Sequence, residues 1–83
     1  MSSEITNTLD EYLNQVIMIK LRNNKTIQGN LQHFDQQMNI TLTDSKDITT
    51  DDVENLDKVL LRGANIILVS LPDTSNQKDD DSV

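Results

Sequence analysis

A small, strongly curved all-β barrel of five short antiparallel strands, preceded by a short helix, is the fold this sequence predicts. Three observations lead there. Short runs with apolar residues at alternate positions recur along the chain, separated by turn residues. A glycine, Gly29, sits in the middle of the second run, where a small sheet has to bend if it is to curl on itself. The 83 residues include no cysteine, so neither a disulfide framework nor a cysteine-based metal site takes the place of a core. The domain is expected over 1–71, with the helix at about 8–14, the barrel at about 16–71 and an acidic disordered tail at 72–83.

The first seven residues read as a frayed start. Thr8-Leu9-Asp10-Glu11 then fits a capping box, in which Thr8 and Glu11 serve each other's free amides. Leu9, Tyr12 and Leu13 follow at i, i+3 and i+4, so the short helix has one apolar face to lay on the barrel's open end. The first strand, Val16–Leu21, is apolar at nearly every position before Lys20, which predicts burial on both faces or at an interface. Asn23-Asn24 marks a two-residue hairpin, because Asn tolerates the left-handed backbone such turns demand. The second strand, Thr26–Phe34, carries Ile27, Gly29 and Leu31 at even spacing. His33 at its end reads as solvent-facing or packed rather than as a base-stacking ring.

A third strand is expected over 40–44, followed by an acidic loop over 45–54 whose carboxylates form a solvated face. Asp51, Asp52 and Glu54 lack the spacing and the glycine of a calcium loop. Strands four and five are expected over 56–61 and 65–71. The connection between them is short enough for a tight hairpin or for a strand that changes sheets at a corner. The fifth strand is apolar enough that a bare edge would invite association. Pro72 ends it, and the residues beyond have the composition of a disordered tail.

Size and charge narrow the function. A core of about 60–70 residues buries only roughly 60% of its chain surface, so association with further copies is favoured on physical grounds. The formal net charge is −7, concentrated over 44–57 (net −5) and 72–83 (net −3), while 58–71 is net +2. No basic footprint invites duplex nucleic acid, whereas a single strand held by a few stacked bases and one Arg per site remains open. No run approaches the ~18–20 apolar residues of a membrane span, and no signal-peptide core is visible, so a soluble, cytoplasmic protein is expected. One His and no Cys leave no nucleophile–base pair, metal cluster or phosphate loop, so neither an enzyme nor a cofactor is expected.

The chemistry concentrates in two stretches. Phe34-Asp35-Gln36-Gln37-Met38-Asn39-Ile40 places an acid, two amides and an Asn in a polar turn between two strands. The Asn39 amide presents an acceptor and a donor side by side, the complement of a uracil edge. Turned over it would suit cytosine, and a carboxylate such as Asp35 can hold it one way round. The bland reading is that Asp and Asn simply end two strands. The second stretch, Leu60-Leu61-Arg62-Gly63-Ala64-Asn65-Ile66-Ile67, sets an Arg-Gly step between two apolar strands. There the Gly is expected to turn tightly with φ > 0, and Arg62 supplies a flat cation able to stack on a base.

Together these stretches resemble the Sm and Sm-like (Lsm) family over about residues 9–71. Gly29, Asp35, Met38 and Asn39 stand where the family's first motif has its central Gly and its Asp-x-x-Met-Asn, and Leu61, Arg62 and Gly63 stand where the second has hydrophobic-Arg-Gly. The resemblance implies the Sm fold and a ring of six or seven subunits, in which the fourth strand of one pairs with the fifth of the next. It further implies single-stranded U-rich RNA as partner, bound at the central pore, with the ring as an RNA-metabolism scaffold or chaperone. On that basis Asn39 would read the uracil, Asp35 would hold Asn39, Met38 would support the turn, Arg62 would stack on the base and Gly63 would contribute backbone contacts. Gln37 falls where relatives often carry His or an aromatic ring, and Ala64 where many archaeal relatives carry Asp. A homomeric heptamer of archaeal type is the leading expectation, with paralogous Sm-like subunits as the other. The second functional reading is an assembly module whose acidic loop and tail dock proteins.

Overall fold

Alternate residues of three consecutive strands supply the core. The computed structural model describes residues 8–72, which form one antiparallel sheet of β1 (Val16–Leu21), β2 (Thr26–Phe34), β3 (Ile40–Asp47), β4 (Glu54–Leu61) and β5 (Ile66–Ser70), in the spatial order β4-β3-β2-β1-β5. Ile17 and Ile19 of β1, Ile27 and Leu31 of β2, and Ile40 and Leu42 of β3 all point inward and are buried. Leu9 joins them from the N-terminal side, with Tyr12 and Leu13 packed alongside, so the apolar residues of this segment are spent on the core. Burying each such side chain contributes about 1.5–3 kcal/mol.

The sheet bends along a line of small and left-handed residues that crosses three strands. A Cβ on Gly29 would lie 2.9 Å from the Ser45 Cβ and 3.0 Å from the Leu42 Cβ, so β2 and β3 approach here as closely as backbone allows. The pairing of β2 with β3 shifts register between Gln28 and Asn30, and that of β3 with β4 shifts on both sides of Ser45. Asp44 (φ 49°) and Asp57 (φ 64°) take the left-handed region at the same line. The buried Ser45 hydroxyl donates to the Asp57 carbonyl at 2.6 Å, satisfying a backbone group that the bulge would otherwise leave unpaired. The bend expected at Gly29 is thus present, with Asp44, Ser45 and Asp57 as its unforeseen partners.

Several expectations need correcting. Helical conformation ends at Asp10 rather than near residue 14. The bonds that follow are tight turns (Tyr12 N–H to Leu9 O, Gln15 N–H to Tyr12 O), and Asn14, at φ 69°, gives its N–H to Leu31 O. Pairing with β2 therefore wins over helix propagation. The β1–β2 hairpin closes on the hydrogen bond from Leu21 N–H to Lys25 O, which leaves a loop of three residues, 22–24, rather than two. The third strand runs to Asp47 and the fourth starts at Glu54, so the expected acidic loop over 45–54 is shortened at both ends to 48–53. The reason is that Ser45 and Asp57 carry the pairing across the bulge.

Strands β4 and β5 are not a hairpin: they occupy opposite edges of the sheet, and the chain between them turns a corner. In β1 the outward residues Val16 and Met18 remain 46% and 39% exposed, so burial on both faces does not occur within one chain. Both edge strands carry exposed apolar residues, Leu60 on β4 and Ile67 and Leu68 on β5. Among the described residues no helix is long and apolar enough to cross a membrane. The expected frayed start and all of the expected tail beyond Pro72 lie outside the described residues.

Candidate nucleic-acid interface

Two hairpins of the sheet share one geometry and differ in what they place at its awkward position. At the β1–β2 turn, Asn24 N–H donates to Leu21 O (3.0 Å), Leu21 N–H donates to Lys25 O (2.8 Å), and Asn24 has φ 68°. At the β2–β3 turn, Met38 N–H donates to Asp35 O (3.0 Å), Asp35 N–H donates to Asn39 O (3.2 Å), and Met38 has φ 64°. Each is a three-residue loop whose last residue is left-handed. Asn suits that conformation and Met does not. Two things offset the cost. The Asp35 carboxylate draws in the loop, its Oδ1 accepting from both Gln37 N–H and Asn39 N–H at 2.9 Å. The half-buried Met38 side chain packs against the core and, with Gly63 and Ile66 to Val69, lines a groove of about 320 Å³ beside β5.

The second motif folds down onto this loop. Gly63–Asn65 is a single 3₁₀ turn, entered from an extended Arg62 (φ −77°, ψ 133°). Gly63 does not have a positive φ, contrary to expectation. What it requires is space: a Cβ there would lie 1.9 Å from the Gln37 carbonyl oxygen. The close approach lets Gly63 N–H donate to Asn39 Oδ1 at 2.9 Å. That N–H, which the resemblance assigned to RNA contacts, is therefore spent on Asn39.

Asn39 thus stands between two fixed partners. Its Nδ2 donates to Asp35 Oδ2 at 3.0 Å, and its Oδ1 accepts from Gly63. A carboxylate only accepts and a peptide N–H only donates, so the amide has one orientation and each partner enforces it independently. One N–H and one oxygen lone pair remain. The Asn39 backbone N–H, followed by its side-chain amide, holds the Asp35 carboxyl below the usual 3.8, with Gln37 N–H and the field of His33 adding to the effect and desolvation opposing it. Because the folded value is the lower one, this anchor is fully present above 3.8 and is lost only as pH falls through the depressed value. A carbon-detected NMR titration of Asp35 is expected to give a midpoint below 3.8; a midpoint at or above it would remove the carboxylate as the anchor of Asn39.

Of the expected site residues, Asp35, Met38, Asn39 and Gly63 are brought into direct contact or into one groove. The Arg62 and Gln37 side chains are exposed beside them and make no hydrogen bond or ion pair within the described residues. One residue escaped the sequence reading. Arg22, just past β1, gives its backbone N–H to Asn65 O (2.9 Å) and its Nε–H to Ala64 O (2.7 Å). That contact spans 42 positions, and no local pattern announces it.

Residues 7–71 match the LSM domain family. Over 61 residues the chain is 31% identical to the probable small nuclear ribonucleoprotein G of Arabidopsis thaliana, covering 74% of this chain and 76% of that protein. The SmAP1 heptamer of P. aerophilum superposes with a TM-score of 0.79 at 30% identity, covering 84% of this chain and 96% of the other. The Pyrococcus abyssii Sm protein, solved in complex with a uridine heptamer, shares the fold at 22% identity, with a TM-score of 0.76 over 82% of this chain and 97% of that one. The bent five-stranded sheet, the two motif loops locked through Asn39 and the match over 7–71 lead to one conclusion: this chain belongs to the LSM domain family of Sm-like proteins.

Proposed function

We propose that the chain is a subunit of a ring, of seven copies in the leading form, that binds single-stranded U-rich RNA at its pore as a scaffold or chaperone in RNA metabolism inside the cell. The observation that carries this reading is the Asn39 amide, held in one orientation by Asp35 and Gly63 with a donor and an acceptor left over. Uracil offers the matching N3–H and carbonyl. Arg62, exposed and unpaired among the described residues beside the lock, is available to stack on the base and to meet phosphate. The two sheet edges, unpaired among the described residues and with Leu60, Ile67 and Leu68 exposed, support the ring. A ring brings several such pockets onto one strand, which multiplies weak single-site contacts.

The test is a titration of oligo-U and oligo-C at fixed ionic strength. Asn39→Ala is expected to cost about 1–3 kcal/mol per occupied site. Arg62→Ala is expected to cost a similar ~1–3 kcal/mol per base and to flatten the salt dependence. Gln37→His is expected to tighten binding by supplying a ring for stacking. Unchanged affinity in both Asn39→Ala and Arg62→Ala would remove the RNA pocket and leave the protein-docking reading.

A further inference from the structure

The 3₁₀ turn that carries Gly63 ends with its carbonyls in need of partners, as every helical end does. Arg62 O accepts from Asn65 N–H, and Gly63 O accepts from Ile66 N–H, both within the turn itself. The remaining two, Ala64 O and Asn65 O, are taken by one residue at the end of the neighbouring strand β1. Arg22 gives its Nε–H to Ala64 O at 2.7 Å and its backbone N–H to Asn65 O at 2.9 Å. Among these four carbonyls only Ala64 O is met by a side chain, the Arg22 guanidinium. Where Arg22 sits is itself fixed, because Leu21 pairs with Ile66 and the left-handed Asn24 closes the hairpin immediately beyond.

We infer that Arg22 is a positioning residue for the uracil-reading amide. It holds the 63–65 turn against the β2–β3 loop, so that Gly63 N–H stays aimed at Asn39 Oδ1. The chain of contacts is short and continuous: Arg22 to Ala64 O, then Gly63 N–H to Asn39, then Asn39 to Asp35. Arg22 uses charge here for a hydrogen bond to a carbonyl, a charge-assisted contact stronger than a neutral one. The planar fork matters as much as the charge. Nε–H sits at a set angle on a stem whose backbone is bonded to the next carbonyl, an arrangement that a flexible ammonium does not reproduce. The inference rests on the RNA-reading role proposed above, and half of its test is independent of RNA.

Two variants separate positioning from direct phosphate contact. Arg22→Lys keeps the cation and loses the fork; Arg22→Gln removes the cation. Arg22 is exposed, and a thermal melt of each variant is the check that it folds. Without RNA, hydrogen exchange at the Gly63 amide and at the Asn39 side-chain NH2 is expected to speed up in both variants, while amides in the buried stretch of β2 are unchanged. With RNA, the preference for oligo-U over oligo-C is expected to fall about two- to tenfold in both, the range for one lost supporting hydrogen bond, and the salt slope of Arg22→Lys is expected to match that of the unmodified protein. Unchanged exchange at Gly63 and Asn39 overturns the inference whatever the RNA result. A flatter salt slope in Arg22→Gln with the U-to-C ratio intact overturns it as well, and makes Arg22 a phosphate contact. Absence of oligo-U binding by the unmodified protein would sink the RNA reading alone, leaving the exchange result to decide whether Arg22 positions Asn39.

Discussion

Gly63→Ala is expected to abolish the selectivity of the pocket while leaving the barrel folded. The added methyl would fall 1.9 Å from the Gln37 carbonyl oxygen and 3.0 Å from the Met38 carbonyl carbon. Both atoms belong to backbone, so no rotamer change relieves the contact and the two loops must part. Separation by even 1 Å carries Gly63 N–H out of range of Asn39 Oδ1, since the bond is now 2.9 Å and hydrogen bonds weaken steeply beyond about 3.2 Å. Overpacking of this kind costs about 1–3 kcal/mol. The loop–loop contact is peripheral to the core, so the loss of stability is expected at the low end and the loss of oligo-U over oligo-C discrimination at the high end. Gly29→Ala is the contrasting variant. Its methyl would press on Ser45 and Leu42 in the crease, lowering the melting temperature with little effect on discrimination. Equal effects of the two substitutions on both readouts would show that the pocket is not built by the approach of Gly63 to Gln37.

That contrast also marks how far the sequence could be read. Patterns that live within a few residues were legible. The alternation of Ile27 with Leu31 and of Ile40 with Leu42 placed two strands and their inner faces, the apolar run Val16–Leu21 placed the first strand but not its inner face, and the crease at Gly29 followed from a glycine inside such a run. Asp35 as the holder of Asn39 was legible because both lie in one turn. What was misread depended on partners distant in the chain. Gly63 looked like a turn glycine, but its lack of a side chain serves a loop 26 residues earlier, Gln37. Arg22 gave no signal because its partner is 42 positions away. The left-handed Asp44 and Asp57 are set by the bulge, which arises only when three strands are already paired. Met38 was singled out, and its left-handed backbone was not, since Met rarely adopts it.

Leu60→Lys and Ile67→Lys are each expected to convert the assembly to a folded single chain, and mixing the two variants is expected to restore one junction and no ring. Leu60 is 64% exposed on β4 and Ile67 57% exposed on β5, the two edge strands of the sheet. In the single chain these are surface positions, where substitution changes stability by about 0.5 kcal/mol or less. In a ring each would enter an edge-to-edge junction, where burying an apolar side chain contributes about 1.5–3 kcal/mol and burying an unpaired ammonium instead costs several. Every junction of a closed ring carries the same substitution, so the loss multiplies and closure fails. Sedimentation equilibrium should then return the 9.4 kDa chain for either variant alone and a multiple of it for the unmodified protein. The mixture carries the sharper information. A Leu60→Lys chain keeps a sound β5 edge, and an Ile67→Lys chain keeps a sound β4 edge. If junctions join β4 of one subunit to β5 of the next, the two chains form a 1:1 dimer that cannot grow, because both outer edges are blocked. If like edges pair with like, each variant dimerises alone through its sound edge and mixing adds nothing. RNA affinity should follow the assembly: single chains and the mixed dimer lose the multivalent gain even though Asn39, Asp35, Arg62 and Gly63 are untouched. Retention of the full oligomer by Leu60→Lys and Ile67→Lys would exclude the sheet edges as its contacts.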